Sequence, residues 1–105
     1  MITAGEGKHR VWLRKQELDK GIVLMLGGGE SSHVGGAAYV TPEGVEDVMG
    51  VKGHRDLDVL LPIARAASKK YGVPVMAVGG VHIENATKQD LKLLVDNCTE
   101  LVNCV

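Results

Sequence analysis

Two short apolar runs, each closed by glycines, constrain this chain more than any other feature. Ile22-Val23-Leu24-Met25-Leu26 stops at Gly27-Gly28-Gly29, and Val73 to Val78 stops at Gly79-Gly80. Runs this short and this apolar predict strands at the centre of a sheet, the first of them buried on both faces. The chain has 105 residues, and its only rings besides four histidines are Trp12, Tyr39 and Tyr71. One core built from Val, Leu, Ala and Met is therefore expected, in a single domain covering residues 1–105.

The other elements follow from periodicity. Val11 and Leu13 alternate with Arg10, Trp12 and Arg14, which predicts a half-buried strand over about Lys8 to Glu17, paired as a hairpin with Ile22 to Leu26. Glu30 to Gly36 reads as a loop, Ala37 to Thr41 as a third strand, and Val45 to Val51 as an edge element at best. Leu57, Leu60, Leu61, Ala64, Ala67 and Tyr71 recur at helical spacing, so a helix spans Asp56 to Tyr71 and stops at Gly72. Pro62 either kinks this helix or moves its start downstream to an Asp58 cap. Thr87 and Asp90 have capping-box spacing, and Leu91, Leu94, Val95, Cys98, Leu101 and Val102 form the stripe of a second helix over Lys88 to Asn103. The expected fold is α+β (or α/β): a single-layer mixed β-sheet of four to five strands with two amphipathic helices packed on one face. Its other face, which carries Trp12, would be covered by a second copy in a homodimer or by another protein.

Charge and composition exclude several classes. Twelve Lys+Arg against thirteen Asp+Glu give a net charge of −1, with no basic field for a phosphate backbone and too few rings to stack bases. No nucleic-acid partner is expected. The longest apolar run is far too short to span a membrane and the first residues lack a signal-peptide centre, so a cytoplasmic protein is expected. Cys98 and Cys104 would lie about 240° apart around a helix, which favours reduced thiols over a disulfide.

Three histidines follow glycine-rich strand or loop ends: His33 in GGGESSHVGG, His54 in VKGHRD and His82 in VGGVHIENAT. Such glycines let backbone approach a ligand, and imidazole titrates near neutrality. The pattern admits solvated loop histidines, a cluster for an anionic group, or a three-histidine site (His33, His54, His82) for a divalent metal such as zinc. In either ligand reading the three imidazoles would converge at one edge of the sheet. Gly27 to Gly29 carry neither a P-loop nor a GxGxxG fingerprint, although their amides could hold a phosphate. Arg55 could pair with phosphate or carboxylate through its planar fork. Asp56 and Glu84 could orient a histidine, cap a helix or simply be solvated.

The segments GGGESSHVGGAAYVT, KGHRDLDVLLPIARAASKKYG and PVMAVGGVHIENATKQDL resemble the LpdD-like prenylated-flavin chaperones. These are small D subunits associated with gallate-type, UbiD-like hydroxyarylic acid decarboxylases. The most specific matches are the glycine-led His33-Val34-Gly35, the step His54-Arg55-Asp56, and Gly80-Val81-His82-Ile83 leading into Asn85-Ala86-Thr87-Lys88. The resemblance implies an accessory protein rather than the decarboxylase itself, one that binds or delivers prenylated FMN or FMN or helps mature the large decarboxylase subunit. It further implies cofactor contacts from Gly28, Gly29, His33, His54, Arg55 and His82. Two other readings remain at this stage: a small metal-dependent enzyme or metal-binding protein using the three histidines, and a ligand-free assembly module.

Overall fold

The computed structural model describes residues 1–52 and 55–105. Six strands form one mixed sheet: β1 (Ile2–Ala4), β2 (Val11–Leu18), β3 (Gly21–Gly28), β4 (Ser31–Val40), β5 (Glu46–Gly50) and β6 (Val75–His82). Their spatial order is β1-β2-β3-β6-β4-β5. The helices are α1 (Leu57–Tyr71) and α2 (Lys88–Cys104). Both pack on the same face and touch each other, α1 over β4 and β6, α2 over β1 and β2. The α+β class and the one-sided helical layer agree with the sequence pattern.

The β2–β3 hairpin forms over the expected residues, and β3 pairs in parallel with β6, aligning Leu24 with Ala77 and Leu26 with Gly79. Side chains alternate accordingly. Val11, Leu13, Ile22, Leu24, Leu26, Val75 and Ala77 turn toward the helices and are buried with Leu60, Ile63, Ala64, Ala67, Leu94, Cys98 and Leu101. The alternate residues face the other way, and there the expectation of two-sided burial fails: Met25 and Met76 are exposed. Among the described residues no second layer reaches that face, so β3 and β6 are central in order yet buried on one side. The continuous apolar run reflects an apolar open face, which also carries Trp12, Val78, Tyr39 and Met49.

Three further expectations are corrected. β1 has no periodicity to betray it, because three residues suffice to pair antiparallel with Val11 to Leu13 of β2. The first hairpin strand begins at Val11, because Gly7–His9 forms a 3₁₀ turn that links β1 to β2. The Ser- and Gly-rich stretch before Ala37 is strand rather than loop: β4 starts at Ser31, pairs antiparallel with β6, and absorbs an irregularity between Ser32 and Gly36. Its local composition says loop, but cross-strand pairing satisfies its backbone and overrides that weak preference. β5 is an edge strand, as expected, held to α1 by the paired bonds of Arg65 to Glu46 at 2.6 and 2.7 Å.

Helix α1 runs through Pro62 without a downstream restart and ends at Gly72, whose left-handed φ of 67° lets its N–H reach the Ser68 carbonyl. Helix α2 begins at a complete capping box: the Thr87 hydroxyl accepts from the Asp90 N–H and the Asp90 carboxylate accepts from the Thr87 N–H, both at 3.0 Å. His9 adds a contact of 2.8 Å from Nε2 to Asp90 Oδ1, pinning the 3₁₀ turn to the helix start. The Thr87 N–H, then His9, hold the Asp90 carboxyl well below the usual carboxylate range. Since the folded value lies below the unfolded one, Asp90 contributes stability at neutral pH that drains away as pH falls below about 4. Urea unfolding at pH 7 and pH 3 should show a smaller acid-induced loss for Asp90→Ala than for the wild type. An equal loss in the two proteins would refute this.

Candidate functional site

The sheet places one end of several elements together. Because β3 and β6 run parallel, both finish at the same edge, and antiparallel β4 starts there with Ser31 opposite His82. Two hydrogen bonds fasten this corner: the Glu30 N–H donates to the His82 carbonyl and the Glu84 N–H to Glu30 Oε1, both at 2.8 Å. His33 and His82, remote in sequence, come within 6.0 Å between ring centroids, with ring planes inclined by 53°. His54, the third of the set, lies outside the described residues.

Asp56 is buried at this edge, immediately before α1, and its carboxyl does not cap that helix. Instead Oδ1 accepts the Val81 N–H at 3.1 Å, while Oδ2 stands 3.1 Å from His33 Nε2. The backbones of Gly35 and Gly80 form its seat. A Cβ at Gly35 would run into the Asp56 carboxyl, and one at Gly80 would stand 2.7 Å from both Asp56 Cγ and His33 Nε2. Glycine is needed here for close approach, so part of the glycine pattern around the histidines serves to admit a buried acid. Behind Asp56 lies Cys98, whose thiol is pushed up to about 12 by burial and, secondarily, by the Asp56 charge. That thiol is a core group rather than a nucleophile.

The remaining predicted residues divide. His82 is partly exposed, its Nε2 3.1 Å from Glu84 Oε2. Arg55 extends into solvent beside Asp58, with its Nη2 3.0 Å from that carboxylate. The Gly28 N–H donates to Ser32 Oγ at 3.0 Å and the Gly29 N–H to the Arg10 carbonyl at 2.9 Å, so both amides are already engaged within the fold. Gly27 is explained by Trp12, whose ring occupies the space a Cβ would need. Among the described residues no group of three or more His, Cys, Asp or Glu side chains is arranged to hold a metal ion.

A cleft of about 380 Å³ opens between the start of α1, the end of β6 and the outer flank of α2. Its polar lining is Arg55, Asp56 and His82; its apolar lining is Val59, Val81, Ile83, Ala86, Leu91, Leu94, Val95 and Cys98. Leu91 and Val95 belong to the apolar stripe of α2, yet they are 53% and 49% exposed. The signal that could have exposed the cleft is the width of that stripe: Leu94, Cys98 and Leu101 fill the seam against the sheet, and Leu91 and Val95 are surplus to it.

Residues 5–105 match the model of the prenylated flavin chaperone LpdD-like domain. The chain belongs to that family. No curated protein matches it. The matched range takes in every element from β2 to α2, so the histidine edge, the Asp56 seat and the cleft all belong to the LpdD-like domain. Among the described residues, no helix of this LpdD-like chain is long and apolar enough to cross a membrane.

Proposed function

We propose that this LpdD-like protein binds prenylated FMN at the histidine edge of its sheet and passes it to the large subunit of a UbiD-type decarboxylase in the cytoplasm. The observation that carries this reading is the cleft itself, whose lining combines the polar side chains of Arg55, Asp56 and His82 with a larger apolar surface. A flavin mononucleotide has matching parts, an anionic phosphate and a flat, largely apolar ring system. Arg55 and His82 are accessible donors suited to the phosphate, Arg55 through its planar fork. Asp56, which lines the cleft, would offer an acceptor to the ring's heteroatom edge, and His33 stands 3.1 Å from its Oδ2. When bound, the flavin would supply the redox and bond-forming chemistry of the decarboxylase; this chain's residues would hold it and limit its exposure to water. The Gly28 and Gly29 amides already have partners, and these glycines pack on the backbones of Arg10, Val11 and His82, so this reading gives them no contact with the ligand. The open sheet face, with Trp12, Met25, Met76 and Met49, is given to protein contact with the large subunit or a second copy of the chain.

The test is retention. Purified protein loaded with prenylated FMN and desalted should keep the flavin absorption, and His82→Ala should lose most of it while its far-ultraviolet circular dichroism stays unchanged. Wild-type protein that emerges without flavin would overturn the proposal, and equal retention by His82→Ala would remove His82 from the site. Metal analysis of the same samples tests the metal-binding alternative, which predicts a stoichiometric divalent ion lost in His82→Ala.

A further inference from the structure

We infer that the α2 flank of the cleft, formed by Leu91 and Val95, receives the prenyl-derived hydrocarbon of the cofactor and makes the protein prefer prenylated FMN to FMN. This rests on the flavin-binding reading above. The argument starts from what helix α2 leaves undone. An amphipathic helix normally buries its apolar stripe, and α2 does so through Leu94, Cys98 and Leu101. Leu91 and Val95, one turn apart, remain about half exposed and line the cleft together with Ala86 and Ile83.

The cleft combines two kinds of side chain. Arg55 and His82 suit an anion, with Asp56 beside them as an acceptor already engaged by the Val81 N–H. The other lining side chains among the described residues are hydrocarbon apart from the Cys98 thiol, which burial pushes up to about 12. A ligand that uses the whole lining has a charged group and more apolar surface than a flavin ring alone. Plain FMN offers the charge and the ring without the added hydrocarbon. The prenyl-derived unit adds apolar surface whose transfer from water onto Leu91 and Val95 is favourable, and burying only two of its CH₂ equivalents gives a preference of about tenfold.

The decisive measurement is a ratio. Wild type, Leu91→Gln/Val95→Gln and Val95→Trp are titrated separately with prenylated FMN and with FMN under identical buffer, following flavin fluorescence. Glutamine is a good helix former and both positions already meet solvent, so the double variant should keep wild-type circular dichroism and Tm. Wild type is expected to bind prenylated FMN at least about tenfold more tightly than FMN. In the double variant the ratio should fall to about twofold or less, because prenylated FMN loses more affinity than FMN; in Val95→Trp, which fills the cleft, prenylated FMN should again lose more affinity than FMN. Comparable wild-type affinities for both flavins would overturn the inference while leaving the proposed function standing. So would a double variant that keeps the full ratio, including one that instead loses its hold on a decarboxylase subunit. Wild-type protein that binds neither flavin would overturn the proposed function itself, and this inference with it.

Discussion

Gly79→Ala is expected to remove most of the protein's stability, more than about 3 kcal/mol in urea unfolding. Gly79 sits at the centre of the sheet, between Leu26 of β3 and Gly36 of β4, with φ at 118°. A Cβ there would collide with the Leu26 carbonyl oxygen and stand 3.1 Å from the Leu26 nitrogen. Both obstacles are backbone, so relief requires moving β3 away from β6 and breaking the parallel pairing that anchors the core. Gly72→Ala provides the contrast. Gly72 also has positive φ, at 67°, but a Cβ would meet nothing within 4 Å. Its cost should be the left-handed penalty alone, roughly 1–2 kcal/mol. If Gly79→Ala were no worse than Gly72→Ala, strand contact would not be the reason for this glycine.

Asp56→Ala should cost about 1–3 kcal/mol and disable flavin retention together. The carboxyl is the acceptor for the Val81 N–H, and its loss leaves a buried donor without that partner, the expensive way to break a hydrogen bond. It also removes the carboxylate 3.1 Å from His33, a charged neighbour of the imidazole that stands beside His82. Asp56→Asn keeps an oxygen for Val81 and should recover most of the stability, while the exchange of an oxygen for an amide NH₂ facing His33 still weakens retention. Chemical denaturation and desalting on both variants separate these effects. Wild-type stability in Asp56→Ala would show that the carboxyl has no structural role at this edge.

The legible parts of this protein were those decided by short stretches of chain. The hairpin of β2 and β3, the α2 capping box, the Gly72 stop and the one-sided helical layer all follow from local periodicity, because alternation and capping involve residues a few positions apart. The pairing of His33 with His82 was also within reach: two glycine-ended strands, if parallel, must finish at one edge, and β3 and β6 are parallel. Beyond that range, pattern fails for identifiable reasons. Ser31 to Gly36 has the composition of a loop, and only the presence of β6 alongside makes it a strand. Met25 and Met76 look like core residues from hydrophobicity alone, since an apolar side chain reads the same whether or not a second layer covers it. Asp56 beside His54 could be read as a helix cap; its use as a buried acceptor depends on Gly35, Gly80 and Val81, which arrive from other strands. The cleft is the extreme case. Sequence determines that α2 has a broad apolar stripe, but how much of that stripe the sheet can cover is set by the curvature and spacing of the assembled layers. Only tertiary structure decides that Leu94 is buried while Leu91 and Val95 are left facing the histidine edge.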